Sequence, residues 1–125
     1  MPKQLRCSVQ GVYRGYRCDS LWELAFVVFN LDHGIEFHRC VKPYPYRWYR
    51  KTRWYYPDFV MGDGRLVEIK GIMCGRDRRK LESMPEGVTV IGPKEIVPYM
   101  AYCRSRYGDD LSRLYERSKT VWYTK

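Results

Sequence analysis

Hydrophobic positions change period several times along the chain, and each change predicts an element. Behind Ser20, the residues Trp22, Ala25, Phe26 and Phe29 share one face of a helix. Glu23, three residues after Ser20, completes a capping-box pattern at its start, and His33-Gly34 ends it, glycine accepting the left-handed conformation. From Ile35 to Val41 the period becomes two: Ile35, Phe37, Arg39 and Val41 alternate with Glu36, His38 and Cys40, as in a strand. Pro43 and Pro45 interrupt it, and a basic, aromatic loop follows. Trp54 to Met61 predicts a second strand, Gly62-Asp63-Gly64 a tight turn, and Arg65 to Lys70 a third strand, with Gly71 closing the hairpin. Residues 76 to 83 predict a short helix and Val88 to Ile91 a final core strand. Helical patterns return near 94 to 106 and 110 to 118, with Pro98 placed to kink or delay the first. Residues 1 to 18 carry weak periodicity and suit a short arm or irregular strand; no repeat, low-complexity tract or linker stands out. The order helix, three strands, helix, strand, helices predicts an α/β fold, a sheet covered by helices on both faces, and 125 residues fit one such domain, 1–125.

Composition narrows the function. Apolar residues at 45% and charged residues at 30% exclude a disordered chain. Since no apolar run is long enough to span a bilayer and the N-terminus lacks the apolar stretch of a secretory signal, the expected place of action is the cytoplasm, with no membrane partner. The cysteines Cys7, Cys18, Cys40, Cys74 and Cys103 are odd in number and widely spaced, without a CxxC, and read as reduced thiols. A net charge of +9 attracts polyanions, and phosphate contacts by Lys and Arg supply much of nucleic-acid affinity. Arg47, Arg50, Lys51 and Arg53 are interleaved with Trp48, Tyr49 and Trp54, a mixture able to hold phosphates and stack on exposed bases. The plainer reading is a solvated hairpin tip with aromatic stems packed beneath it. A second basic cluster, Arg76, Arg78, Arg79 and Lys80, is the other candidate binding face.

The stretch from Tyr56 to Lys70 carries the chemistry. A turn centred on Asp63 pairs Met61 with Arg65, Val60 with Leu66, Phe59 with Val67 and Asp58 with Glu68. Opposed residues point to one face with Cβ atoms about 5 Å apart, and Lys70, two residues beyond Glu68, shares that face. Two carboxylates so placed repel each other unless a cation lies between them, and hard oxygen ligands suit magnesium or manganese. The alternative is an edge salt bridge of Asp58 with Lys70, leaving Glu68 in solvent. His33 and His38 are most simply structural or exposed.

Pro57-Asp58 followed by Glu68-Ile69-Lys70 resembles the signature of the PD-(D/E)xK nuclease superfamily. The resemblance extends over roughly residues 16 to 80 to the phage endonuclease I family of Holliday-junction resolvases. It runs through Ser20 and Glu23, Gly34-Ile35-Glu36-Phe37, Pro43-Tyr44, Tyr56-Pro57-Asp58-Phe59 and Glu68-Ile69-Lys70-Gly71. It implies a restriction-endonuclease-like mixed sheet flanked by helices, and a magnesium-dependent DNA endonuclease, with manganese able to substitute. Asp58, Glu68, the Ile69 carbonyl and Glu23 would be the metal ligands, and Lys70 would complete the catalytic set. Glu23 taken alone is a capping residue; its metal role comes from the resemblance. Branched DNA is the implied substrate, and two symmetric nicks imply a homodimer. The alternatives are a sequence-specific or nicking endonuclease of a mobile element or restriction system, and a non-catalytic nucleic-acid-binding module. The match departs in Tyr16-Arg17-Cys18-Asp19 and beyond residue 85.

Overall fold

The computed structural model describes residues 9–116, and it is mixed α/β: three helices and a mixed four-stranded sheet with two small hairpins. The described residues fall into two compact units, one drawn from Met1–Gly34 and Ile96–Lys125, the other from Ile35–Glu95. Among the described residues no helix is long and apolar enough to cross a membrane.

The first unit opens with β1 (Gly11–Tyr13) and β2 (Tyr16–Cys18), an antiparallel hairpin where weak periodicity predicted an arm or irregular strand. The overlooked signal is Arg14-Gly15, whose φ values of 49° and 85° make the left-handed two-residue connection that suits strand twist. Helix α1 (Leu21–Asp32) starts as its sequence predicts, with the Ser20 side chain accepting from the Glu23 N–H at 3.1 Å, and stops at His33 before Gly34 at φ 67°. Its burial is broader than the single face expected: Glu23 through Val28 are all buried. Pro98 sits in the first turn of α3 (Val97–Tyr107), where a missing N–H costs nothing, so the helix is delayed rather than kinked. The Asp32 carboxylate ties α1 to α3 by accepting from the Tyr102 and Tyr107 hydroxyls at 2.7 and 2.6 Å. A 3₁₀ turn follows at Leu111–Leu114, and the end of the 110 to 118 pattern lies outside the described residues.

The second unit holds the sheet. Strands β3 (Phe37–Arg39), β6 (Phe59–Met61), β7 (Leu66–Ile69) and β8 (Thr89–Ile91) lie side by side in that order. The first three are antiparallel; β8 runs parallel to β7 and is reached through helix α2 (Gly75–Glu82), as parallel neighbours require a crossover. Phe59, Val67 and Ile69 are buried on one face of the central pair, while Val60, Leu66 and Glu68 on the other are half-buried. β8 is thus an edge strand with only Ile91 buried, not the fully core strand its composition suggests.

The expected strand from Trp54 to Met61 is two strands. β5 (Lys51–Tyr55) pairs with β4 (Tyr44–Trp48) in a separate hairpin, and Tyr56-Pro57-Asp58 carries the chain on into β6. The basic aromatic stretch is therefore regular structure, not a loop. Its inner face presents Tyr44, Tyr46, Trp48 and Tyr55, which pack with Met84, Leu66, Leu81 and Val88. The connection is Tyr49-Arg50, with φ of 51° and 66°.

Each non-glycine residue in the left-handed region costs about 1 kcal/mol, and asparagine tolerates it best. Arg50→Asn is expected to raise stability in urea denaturation by up to about 1 kcal/mol, while Arg50→Val lowers it by at least as much. Equal midpoints for the two variants would contradict the left-handed assignment.

Candidate active site

Register decides where the acidic residues meet. Phe59 pairs with Val67 and Val60 with Leu66, the pairing expected of a turn centred on Asp63. That turn is closed by the Met61 N–H on the Arg65 carbonyl at 2.8 Å and by the Asp63 carboxylate accepting from the Arg65 N–H at 3.0 Å. Beyond Phe59 the ladder gives way to side-chain hydrogen bonds: Pro57, two residues before it, has no N–H, and the Asp58 and Glu68 carboxylates accept from backbone N–H groups. The Asp58 N–H donates to Glu68 Oε1 at 3.2 Å, and the Ile69 N–H donates to Asp58 Oδ2 at 2.8 Å. Each carboxylate thus accepts from the backbone of the opposite strand, which holds the two acids at one strand end despite their like charge.

Tyr55, delivered by the end of β5, donates its hydroxyl to the same Glu68 Oε1 at 2.9 Å. Burial pushes the Glu68 carboxyl above the usual carboxylate range; the Tyr55 hydroxyl, the Asp58 N–H and the Lys80 and Lys70 cations pull the other way without cancelling it. Burial and the neighbouring Glu68 charge push the Tyr55 phenol far upward, so it remains a donor.

Lys70 continues β7 past Ile69, its N–H bonded to the Ile91 carbonyl at 3.1 Å. Its ammonium lies 3.5 Å from Asp77 Oδ2, while Lys80 lies 3.7 Å from Asp77 Oδ1 and 5.5 Å over the Tyr55 ring. Asp77 is held in turn by the Cys74 N–H and thiol, at 3.0 and 3.2 Å, as the acidic partner of a capping box at the start of α2. Burial alone would raise the Asp77 pKa, but these hydrogen bonds and both lysines outweigh it and lower it. Tyr55, Glu68, Lys70, Asp77 and Lys80 line one cleft with Met73 and Leu81. Sequence reasoning missed Tyr55 and Asp77. The Cys74-x-x-Asp77 spacing was a usable sign of a helix start; nothing local pointed Tyr55 at Glu68. A cavity of about 650 Å³ opens elsewhere in the unit, against Tyr44, Arg65, Met84 and Val88, and none of Asp58, Glu68 or Lys70 lines it.

Glu23 belongs to the first unit. It is buried on the first turn of α1, where its Oε1 accepts from the Asp19 N–H at 3.1 Å, one residue earlier than a standard capping box. Of the predicted binding residues, Arg47, Arg50, Lys51 and Arg53 are exposed on the β4–β5 hairpin and Arg76, Arg78 and Arg79 on α2. The two sets adjoin: Arg79 Nε donates to the Arg47 carbonyl at 3.2 Å. Trp48 is half-buried and belongs to the inner face, where a Cβ at Gly75, the start of α2, would lie in contact with its ring edge. His38 is exposed, and His33 caps α1 with Nδ1 2.7 Å from the Phe29 carbonyl. Cys40 and Cys103 are buried free thiols and Cys74 an exposed one; Cys18 is buried, and Cys7 lies outside the described residues.

Two carboxylates brought together at a half-buried strand end are a hard-oxygen donor set that fits a divalent cation. Among the described residues no group of three or more His, Cys, Asp or Glu side chains converges to hold a metal, so backbone or solvent oxygens would complete the shell. No family model, curated protein or solved structure matches the chain. What fold and site define is a mixed α/β protein with a half-buried acid pair flanked by two lysines.

Glu68 leads to a pH test. Its folded pKa lies above the unfolded value near 4.5, so folding favours the protonated form. The resulting penalty is absent below about pH 4 and grows as pH rises through the folded pKa. Glu68→Gln keeps the acceptor for Tyr55 and Asp58 and removes the charge. In thermal melts without metal it is expected to exceed wild type in stability at pH 8 and to match it at pH 4. Parallel pH profiles would show that the Glu68 charge carries no folding penalty.

Proposed function

We propose that the protein is a magnesium-dependent DNA endonuclease of the restriction-endonuclease-like fold, structure-selective at branched DNA in the manner of Holliday-junction resolvases. The observation that carries this reading is the reciprocal placement of Asp58 and Glu68 at the end of β6 and β7, with Lys70 two residues on. The sheet supports it: three antiparallel strands with a fourth parallel strand reached through a helix. Asp58, Glu68 and the Ile69 carbonyl would hold the metal, which supplies charge neutralisation at the phosphate and a more acidic water. Lys70 orients the attacking water or steadies charge on the phosphate, and Asp77 sets where its ammonium rests. Arg47, Arg50, Lys51 and Arg53, with Arg76, Arg78 and Arg79, hold the DNA backbone. One such site cuts one strand, so paired nicks need a two-fold dimer.

A second reading is favoured by a specific observation. Asp58 and Glu68 are already engaged by protein donors and Lys70 by Asp77, an arrangement that also suits a non-catalytic nucleic-acid-binding module. A sequence-specific or nicking endonuclease is the alternative within the nuclease class. Side-by-side assays on junction, flap, nicked, single-stranded and duplex DNA separate the three. With magnesium or manganese, cleavage greatest on the branched substrates is expected, and Asp58→Asn should abolish it while leaving DNA affinity intact. Undiminished cutting by a clean Asp58→Asn preparation would remove the site from the mechanism, and binding without any cutting would favour the module.

Glu23 has a separate test. Glu23→Gln keeps an acceptor for the Asp19 N–H and is expected to melt near wild type. If Glu23 binds metal as the resemblance implies, this variant cuts poorly; near-normal rates would leave it a helix cap alone.

A further inference from the structure

The β4–β5 hairpin has two faces, and only one is used by the fold. Tyr44, Tyr46, Trp48 and Tyr55 face inward. By strand alternation, Pro45, Arg47, Thr52 and Trp54 occupy the other side, with Pro45 directly opposite Trp54 and Arg47 opposite Thr52. All four are exposed, and Trp54 leaves 59% of its surface in solvent. An exposed indole on a strand face is an unspent stacking surface.

Arg47 lies beside it and is already oriented. Its Nη1 donates to Thr52 Oγ1 at 3.1 Å and its Nη2 to the Arg50 carbonyl at 2.9 Å, laying the guanidinium across the hairpin. Little side-chain entropy remains to be lost when an anion meets it. The charge around the face has one sign. Between Glu36 and Asp58 the chain has no acidic residue, while Arg39, Lys42, Arg47, Arg50, Lys51 and Arg53 fall in that interval.

We infer that this outer face is a platform for single-stranded DNA, with an unpaired base stacked on the Trp54 indole and adjacent phosphates held by Arg47 and Arg50. A base inside a duplex has both faces covered by its neighbours, so the indole discriminates unpaired nucleotides while the arginines bind either form. The inference rests on the nuclease reading for its choice of DNA and gives that site its selectivity: nucleotides splayed at a branch or flap. Of the tryptophans in the basic aromatic stretch, Trp48 packs on the inner face and Trp54 is the one on the outer face.

Binding in EDTA isolates this face from cleavage. Fluorescence anisotropy of the full chain is measured with a labelled thymidine 15-mer and with a duplex of the same length. Trp54→Ala is expected to weaken the single strand roughly ten-fold or more and the duplex by less than about two-fold, and Trp54→Phe to restore most of the loss. Arg50→Gln should weaken both and lower the salt slope of each by about 0.9 for the duplex and 0.7 for the strand. Equal losses on the two ligands for Trp54→Ala, no loss at all, or tighter binding of a uridine RNA 15-mer than of the DNA strand would overturn the assignment. Selective loss in a protein that never cuts DNA keeps this inference and removes the nuclease reading. Normal branch selectivity of cutting by Trp54→Ala does the reverse.

Discussion

The exchange of hydrogen bonds between Asp58 and the strand bearing Glu68 is the constraint on which the second unit turns. Two like charges at adjoining strand ends are normally destabilising. Here each carboxylate replaces a missing ladder partner, so the strand end is satisfied by the same groups that make it acidic. Pro57 withholds one N–H from this strand end, and the turn at Asp63 sets the register that brings the two acids within reach of the Asp58 and Ile69 N–H groups. A slip of one residue would send Glu68 to the opposite face and Val67 or Ile69 outward, exposing buried apolar surface. Core and site therefore specify the same pairing.

The hairpin β4–β5 depends on this arrangement through Tyr55. Its ring belongs to the inner aromatic core, and its hydroxyl reaches Glu68. Core packing thereby fixes a donor at the acid pair, and the raised proton affinity of Glu68 reflects how far its carboxylate is hidden from water. On the far side, α2 contributes Asp77, whose carboxylate caps its own helix and holds two lysines at once. One acidic side chain thus links helix start, Lys70 and Lys80. These charges are partly shielded from water, so losing one partner costs more than it would at a fully exposed site.

Exposure tells a parallel story about the aromatic residues. Trp48 and Trp54 look equivalent in a stretch where basic and aromatic residues alternate, yet they differ by an even number of positions on opposite strands of a two-residue turn. The pairing places Trp48 opposite Lys51 and Trp54 opposite Pro45, and these pairs project to opposite faces. Only one of those faces meets Tyr46, Tyr55 and Met84.

By itself the sequence determined what short-range physics controls. The Ser20–Glu23 helix start, the His33-Gly34 stop, the turn at Gly62-Asp63-Gly64 and the facing of Asp58 with Glu68 all follow from backbone preferences and periodicity within about a dozen residues. So does the mixed α/β order of elements. Tertiary structure alone decided that the basic aromatic stretch is a hairpin with one buried face, that α1 is buried through consecutive positions, that Tyr55 donates to Glu68, and that Lys70 is held by Asp77. These pairings join residues from different elements, and their partners have no periodic relation to one another. A side chain's hydrogen bond depends on where packing leaves it, and packing is settled only when the elements have met.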